Sequence, residues 1–170
     1  MMTANAQRHS HHSISVKGYD ATYLGTYLVA TATYQRECLF GKVEAGRMHY
    51  NRLGLIVRRA WLDLTRRYSY VALDAFCVLP NLFQGVIVLI DEGNAQGLSE
   101  IVRTFKSIST RQINTFRDSP GIPVWQRDYY KRVVSLPAEL ERIRESIERK
   151  SLSWRPDREE LLKNISGEKL

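Results

Sequence analysis

The sequence predicts an α+β fold in which helices pack mainly on one face of a mostly antiparallel sheet. Two observations lead to this prediction. Apolar, β-branched and aromatic residues form four runs typical of strands, and apolar residues recur at three- and four-residue spacings in three further segments typical of helices. These segments follow one another as strand, helix, strand, strand, helix, strand, helix, which is the order expected of a ferredoxin-like fold.

Length and composition limit the possibilities further. The 170 residues suit one domain, placed at residues 20–157 between a disordered N-terminal tail, residues 1–19, and a polar C-terminal tail, residues 158–170. No apolar run approaches the ~20 residues that a membrane-spanning helix needs. The N-terminus lacks an apolar signal core, and Cys38 and Cys77 lie in apolar stretches as reduced thiols would, so a cytoplasmic protein is expected.

Charge and histidine content suggest partners but do not identify them. The chain has 25 Lys and Arg against 18 Asp and Glu, and this net charge of +7 favours phosphate-bearing partners, although a generic basic surface has the same composition. His9, His11 and His12 in the N-terminal tail could bind a metal loosely. A disordered tail that happens to contain histidines explains them better, because an ordered metal site needs fixed geometry.

The first half of the domain is predicted to contain one strand and one helix. The strand, residues 23–34, reads YLGTYLVATATY. The helix lies between residues 46 and 68, and Arg52, Arg59 and Arg66 form a stripe away from its apolar face, which a solvated surface explains most simply. Arg58 and Arg67 lie at the margins of this stripe. The apolar face consists of Tyr50, Leu53, Val57, Trp61, Leu64 and Tyr68.

The second half is predicted to contain three strands and two helices. Strands at residues 69–80 and 83–91 are separated by a short corner, so they should pair as antiparallel neighbours, and they are expected to be the central strands of the sheet. A second helix covers residues 95–116, and the DSPG sequence after it stops the helix. The last strand is the aromatic and basic segment PVWQRDYYKRVV, residues 123–134. Pro137 then begins a third helix whose apolar residues are Leu140, Ile143 and Ile147.

Two pairs of side chains mark a place where chemistry could occur. Leu82 and Gln84 are two residues apart at the start of a strand, so they project from the same face of the sheet. Ser146 and Lys150 are four residues apart on the third helix, so they lie one turn apart on the same side. The two pairs could converge if the helix packs on that face.

Several blocks of the sequence together resemble the REP-associated tyrosine transposases, members of the single-tyrosine HUH superfamily. The resemblance extends from about Tyr23 to Asp157. Its blocks are TATYQRECLFG, VALDAFCVLPN followed by GVIVL, LSEIVRTFKSIST, PVWQRDYYKRVV, and ELERIRESI with the trailing Trp154. It implies the ferredoxin-like fold, binding of a DNA hairpin with adjacent single strand, and cleavage and rejoining of that strand.

The positions that carry chemistry in this family have different residues here. The family strand reads Pro-Asn-His-x-His, and its histidines hold Mg²⁺ or Mn²⁺ against the scissile phosphate; the matching residues are Leu82 and Gln84. The family's tyrosine nucleophile corresponds to Ser146, and its supporting asparagine to Lys150. Leucine binds no cation and one glutamine carbonyl is a poor lone ligand, so no metal, cofactor or catalytic residue is expected.

Three residue types near these positions could in principle replace the missing catalytic groups. Lys150 could replace part of the metal's charge in holding a phosphate, although a solvent-facing lysine is the simpler interpretation. Tyr129 or Tyr130 could replace the nucleophile, but strand tyrosines more often pack or stack. Ser146 has no histidine nearby in sequence to serve as its base.

Loss of catalysis need not remove DNA binding, because phosphate neutralisation and stacking require no metal. Lys106 and Arg127 rank first among the candidates, since they lie in the blocks closest to the family pattern. Trp125 and Tyr129 are aromatic residues interleaved with the basic ones. The other candidates are Arg103, Arg111, Arg58, Arg59, Tyr130, Lys131 and Arg132.

The predicted function is therefore that of a catalytically degenerate transposase relative that binds hairpin or single-stranded DNA, in a prokaryotic cytoplasm and in association with the nucleoid. One alternative is an active transposase that cleaves and rejoins strands with non-standard residues. Another is a decayed product with only nonspecific DNA affinity. A four-stranded RNA-binding module is disfavoured because its Arg/Lys-Gly-aromatic signature is absent. The sequence does not predict an oligomeric state.

Overall fold

The computed structural model describes residues 25–90 and 97–156. Outside this range lie both predicted tails, with the three tail histidines, and Asp157. The first two residues of the predicted first strand and the first two of the predicted second helix also lie outside it. The strands are β1 (Gly25–Ala32), β2 (Gly41–Glu44), β3 (Arg47–Tyr50), β4 (Val71–Leu79), β5 (Leu82–Leu89) and β6 (Tyr130–Val134). The helices are α1 (Arg52–Leu62), α2 (Leu64–Arg67), α3 (Leu98–Phe116), α4 (Pro137–Glu148) and α5 (Lys150–Ser153).

Four strands form one antiparallel sheet in the order β4-β5-β1-β6. With the intervening helices this is the ferredoxin-like arrangement, so the predicted fold class is confirmed. The predicted pairing of β4 with β5 is also correct, and Pro80 and Asn81 form the turn between them. The prediction that these two are the central strands is wrong. β4 is an edge strand, because β1 pairs with the free side of β5 and occupies the centre beside it.

One sheet face carries the main core. Alternate residues of the strands, including Tyr27 and Val29 of β1 and Phe83 and Ile87 of β5, pack against α1 and α3. Trp61 of α1 is completely buried there, and its ring centroid lies 4.6 Å from that of Phe83 and 5.3 Å from that of Phe105. This face is the layer of helices that the sequence predicted.

The opposite face is covered by α4. Leu28, Val86 and Val134 of three neighbouring strands pack there against Ile143 and Ile147. The helix is also fastened at the sheet edge by an ion pair, in which Arg144 donates to Asp74 of β4 through Nε at 2.8 Å and through Nη2 at 2.7 Å. The apolar stripe predicted on the third helix therefore faces a second, smaller core.

Two segments differ from their sequence-based predictions. Residues 46–50, where the first helix was predicted to begin, belong instead to the β2–β3 hairpin of residues 41–50. The turn of this hairpin has positive φ at Ala45 and Gly46. The helix begins only at Arg52, because the Asn51 side chain accepts a 3.0 Å hydrogen bond from the Gly54 amide and caps it. It is also interrupted at Asp63, which separates α1 from α2.

The last strand is shorter than predicted, because residues 123–129 do not pair along their whole length with β1. They form an isolated bridge at Thr33 and Trp125 and otherwise run beside α3. The Gln126 amide donates to the Ala32 carbonyl at 2.9 Å, and the Tyr34 amide donates to the Val124 carbonyl at 2.8 Å. Within residues 25–90 and 97–156, no helix combines the length and the hydropathy needed to cross a bilayer.

Candidate functional site

Leu82 and Gln84, the residues that match the metal ligands of the resembled family, lie on the sheet face that α4 covers. Gln84 pairs with Cys77 of β4 on one side and with Ala30 of β1 on the other, and Ala30 pairs in turn with Tyr130 of β6. Residues paired in this way share a face, and Cys77 packs against the α4 core. Leu82 projects from the same face, two residues before Gln84. Leu82 and Gln84 therefore share one face of the sheet, as predicted, and it is the face that α4 covers.

The corner before Leu82 is held by side-chain hydrogen bonds from distant parts of the chain. Asn81 accepts a 3.1 Å hydrogen bond from the Trp154 indole nitrogen and donates a 3.2 Å hydrogen bond to the Arg36 carbonyl. Its own carbonyl accepts from the Thr33 amide at 3.0 Å. Asn81 is buried, so these bonds satisfy polar groups that would otherwise be costly. They fix the residues after α5 against the corner that begins β5.

Lys150 acts electrostatically on Cys77, the β4 partner of Gln84. Burial raises the pKa of the Cys77 thiol to about 11, while the positive charge of Lys150 and a hydrogen bond with the Gln84 backbone act in the opposite direction. Gln84 is half-buried, and its Oε1 atom is buried without a hydrogen-bond partner among the described residues. Ser146 lies on α4 and is exposed, whereas Lys150 begins α5, which Arg149 separates from α4. The prediction that Ser146 and Lys150 lie on one helix is therefore wrong. Leu82 and Gln84 thus lie where the start of β5 faces α4, a place we call the junction, and the charge of Lys150 at the start of α5 acts on Cys77 there.

The side chains at this junction do not suit a divalent metal ion. Leu82 has no ligand atom, Gln84 offers one neutral oxygen, and the Cys77 thiol stays protonated at neutral pH because its pKa is raised. The ammonium of Lys150 would repel a cation there. In the described part of the chain, no three His, Cys, Asp or Glu side chains are grouped closely enough to hold a metal.

A second feature lies on the other side of the sheet, where α3 is joined to residues 122–129 by a row of side-chain hydrogen bonds. We call this row the seam. Each bond links a polar residue of α3 with the segment that precedes β6, and the participating side chains lie along one side of the helix. The bonds are Ser99 hydroxyl to Tyr129 hydroxyl at 3.1 Å, Lys106 ammonium to the Gln126 and Arg127 carbonyls at 2.6 and 3.0 Å, Trp125 indole to Ser109 hydroxyl at 2.9 Å, and Asn114 amide to the Ile122 carbonyl at 2.8 Å.

An open groove of about 740 Å³ runs along this seam. One wall is α3, which contributes Arg103, Ser107, Thr110 and Arg111; the other wall is the segment from Gly121 to Tyr129, which includes Arg127. The groove thus brings together four of the basic residues predicted to contact DNA, because Lys106 also lines it. These residues are far apart in the sequence and meet only because the seam holds residues 122–129 beside α3.

The four basic residues of the groove differ in how they are engaged. Arg103 donates to both carboxylate oxygens of Glu100, at 2.8 and 2.9 Å, so its charge is largely neutralised. The Lys106 ammonium donates two of its three hydrogen bonds to backbone carbonyl oxygens. Burial lowers the pKa of Lys106, and the negative charge of Asp128 opposes that shift. Arg111 and Arg127 are exposed and form no ion pair with the residues the structure covers. The two free guanidinium groups therefore lie on opposite walls of the groove.

The other predicted contact residues lie elsewhere. Arg58 and Arg59 are exposed on α1 and do not line the groove. Lys131 and Tyr130 alternate along β6, with Lys131 on the α3 side and Tyr130 on the α4 side, 55% exposed. Arg132 forms an ion pair with Glu139 of α4 at 3.3 Å. The predicted basic residues thus form a groove and separate charges rather than one continuous patch.

Sequence reasoning missed the seam residues Ser99, Ser109 and Asn114. Ser109 is completely buried and accepts from Trp125 while donating to the Phe105 carbonyl at 2.8 Å. The available signal was that these polar residues border the apolar positions of α3 at helical spacing. The partner of Asn114 is the Ile122 carbonyl oxygen, which leaves no pattern in the sequence, while Ser99 and Ser109 pair with the side chains of Tyr129 and Trp125, whose positions beside α3 only the fold determines.

Comparison with known proteins places the fold. No family model matches the chain. An uncharacterized protein of Haemophilus influenzae is 28% identical over 172 residues, which cover 90% of this chain and 94% of that protein.

Two solved structures share the architecture. One is a REP-associated tyrosine transposase bound to a REP hairpin, with a TM-score of 0.59 and 16% identity, covering 84% of this chain and 76% of that one. The other is a candidate transposase of Deinococcus radiodurans, with a TM-score of 0.50 and 16% identity, covering 80% of this chain and 96% of that one. The chain thus has a fold similar to that of these transposases.

Proposed function

We propose that this chain is a transposase-family protein that binds hairpin or single-stranded DNA and does not cleave it. The observation that carries the proposal is the junction, where Leu82 and Gln84 lie at the start of β5 on the face that α4 covers and where the charge of Lys150 acts on Cys77. In this fold the junction is where the sequence resemblance expects two metal ligands and a supporting asparagine. These replacements cannot supply a metal-activated phosphate or a tyrosine nucleophile.

The retained basic groove supports the binding half of the proposal. Arg111 and Arg127 are exposed, lie on the two walls of the groove and lack carboxylate partners among the described residues. Arginine in that condition is suited to phosphate oxygens, which it can contact with two donors at once. The net charge of +7 adds a general attraction to polyanions. The solved relative with the higher TM-score is itself bound to a REP hairpin.

A second candidate function is strand cleavage by Tyr130. Its side chain is 55% exposed and projects from the same sheet face as Gln84, two strands away in the same row, about 10 Å between Cα atoms. The Tyr130 oxygen would bond to phosphorus as the bond from phosphorus to the departing strand breaks, and its proton would leave to water. Without a metal to polarise the phosphate this step would be slow.

Binding and cleavage assays with one set of DNAs separate these functions. The protein is mixed with a labelled DNA hairpin carrying a single-stranded flank and, as control, with a single-stranded DNA of the same composition that forms no hairpin. We expect tighter binding of the hairpin, with no nicked product and no covalent adduct on a denaturing gel whether or not Mn²⁺ is present. A covalent adduct lost in Tyr130→Phe would establish the second function. Equal affinity for the hairpin and for a random-sequence duplex of the same length would indicate a decayed protein with nonspecific affinity only.

A further inference from the structure

We propose that the groove between α3 and residues 121–129 binds a short single-stranded segment of DNA by its phosphates, with Arg111 and Arg127 as the contacts and Lys106 as a positioning residue. The inference rests on the proposed DNA-binding function and adds the site, the form of DNA and the division of roles. It also reverses the ranking expected from the sequence, in which Lys106 was a leading phosphate contact.

The groove has the dimensions of a single strand. Its volume of about 740 Å³ lies within the ~300–1,000 Å³ range of sites for small ligands, so a few nucleotides fit and a duplex does not. Arg103 and Arg111 lie two turns apart on α3, about 12 Å along the helix axis. At 3.4 Å per stacked nucleotide, that wall spans roughly three or four nucleotides of one strand.

The chemistry of the groove suits a nucleic acid better than an isolated anion. Arg111 and Arg127 provide free guanidinium groups on the two walls, while Ser107 and Thr110 add hydroxyl groups between the arginines of α3. Ile122 and Pro123 supply apolar surface on the segment wall, and the Ile122 side chain is 48% exposed. A strand with phosphates on one side and bases on the other can satisfy both kinds of surface.

Lys106 acts on this site through the main chain. Its ammonium lies 2.6 Å from the Gln126 carbonyl oxygen and 3.0 Å from the Arg127 carbonyl oxygen, so it holds the backbone from which the Arg127 side chain extends. Glu100 occupies the Arg103 guanidinium in a similar way. Of the four basic side chains in the groove, only Arg111 and Arg127 keep all their guanidinium donors for a ligand from outside.

The experiment measures how the affinity for a single-stranded oligothymidylate depends on salt. For single strands the slope of log affinity against log salt changes by ~0.7 per phosphate contact. We expect Arg111→Ala and Arg127→Ala each to lower the slope by about that amount. Lys106→Ala should weaken binding without changing the slope, and Lys106→Arg, which keeps the charge and donors, should restore most of the affinity. Arg67→Ala on α2 is the matched control, because Arg67 is exposed and does not line the groove, and it should change neither quantity.

Each contrary outcome has its own meaning. If the native protein binds hairpin and single-stranded DNA but Arg111→Ala and Arg127→Ala keep the native slope, the groove is not the site, while the proposed function stands. If the native protein binds neither DNA, the proposed function fails. A lower slope in Lys106→Ala would overturn its positioning role. Tighter binding of oligouridylate than of oligothymidylate would overturn the choice of DNA over RNA, and binding of free thymidine phosphates with equal affinity would overturn the choice of a strand.

Discussion

The indole nitrogen of Trp125 donates a 2.9 Å hydrogen bond to the hydroxyl oxygen of Ser109, and both residues are buried. Trp125 belongs to the segment before β6, and Ser109 belongs to α3. Their bond is the most enclosed contact of the seam, because the other contacts lie at least partly in solvent. It places the two walls of the groove at a set distance from each other.

Ser109→Ala should destabilise the fold. The substitution removes the acceptor of a buried indole N–H and leaves that donor unsatisfied, which costs about 1–3 kcal/mol of the free energy of unfolding. Urea denaturation followed by tryptophan fluorescence measures the change. Ser107→Ala is the matched control, since Ser107 lies two residues away on the same helix and is exposed, and its free energy of unfolding should stay within about 0.5 kcal/mol of the native value. Equal stability of Ser109→Ala and the native protein would mean that the bond is not formed in solution.

The ion pair between Arg144 and Asp74 should make stability depend on pH in the acidic range. Hydrogen bonds from Arg144 hold the pKa of the Asp74 carboxyl below its usual value, although burial acts against this. A carboxyl with a lowered folded-state pKa stabilises the fold fully above its unfolded-state pKa, about 3.9, and that stabilisation is lost as the pH falls through the lower folded-state value. The difference in free energy of unfolding between the native protein and Asp74→Asn should therefore be constant above about pH 5 and shrink below about pH 4.

Glu141→Gln is the control for this pH dependence. Glu141 also pairs with Arg144, at 3.1 Å, but its side chain is 62% exposed and should contribute little. A native-minus-variant difference for Asp74→Asn that did not change between neutral and acidic pH would contradict the assigned role of the ion pair.

The reactivity of Cys77 reports whether Lys150 stands beside the substituted metal positions. With a pKa of about 11, the thiol should be alkylated roughly two hundredfold more slowly at pH 8 than an exposed cysteine. In a Cys38→Ser background Cys77 is the sole thiol, because the chain has two cysteines. Lys150→Ala should raise the pKa further and slow the reaction again, since Lys150 favours the thiolate.

Lys131→Ala is the matched control for that measurement. Lys131 lies on β6 and projects from the opposite sheet face, so its removal should leave the alkylation rate of Cys77 unchanged. If Lys150→Ala and Lys131→Ala behaved alike, Lys150 would not be placed at the junction with β5.

Introducing the residues of the transposase family that the sequence resembles tests whether the junction has the geometry of a metal site. The variant Leu82→His, Gln84→His and Ser146→Tyr places two imidazoles on the α4 face, two residues apart, with a phenol on the neighbouring helix. We expect this variant to bind Mn²⁺ by calorimetry and to nick hairpin-flanked single strands. Adding Lys150→Asn should tighten Mn²⁺ binding, because a nearby positive charge is removed. Ser146→Tyr alone is the control, and a folded triple variant that binds no Mn²⁺ would argue against this placement of the site.

Local pattern was sufficient to predict several elements of the fold. The turn at Pro80 and Asn81 lies between two apolar runs, so the β4–β5 hairpin was readable, and the long apolar period of α3 was equally clear. The β2–β3 hairpin was missed because its strands have four residues each and are mostly exposed, which leaves Val43 and Met48 as the main apolar signals. The order of the strands could not be predicted from the sequence, because the neighbours of β1 are determined by packing across the whole sheet and not by a local feature.

The candidate site divides in the same way. The period of a strand fixes that Leu82 and Gln84 share a face, so this part of the site was predictable. The pairing of Ser146 with Lys150 on one helix was not, because the break at Arg149 leaves no periodic signal. The role of Lys106 could not be predicted from the sequence, because its partners are the backbone carbonyl oxygens of Gln126 and Arg127. Every residue type has such an oxygen. Only the folded path of the segment beside α3 shows that this ammonium is already engaged.

The position of β1 between β5 and β6 has a consequence for synthesis on the ribosome. β1 emerges long before β6, its final neighbour, so one side of β1 stays unpaired until residues 130–134 have left the exit tunnel. An unpaired strand with apolar side chains such as Val29 is a template for pairing with other chains. Nascent chains that stall between β5 and β6 should therefore depend on chaperones more than the finished protein does.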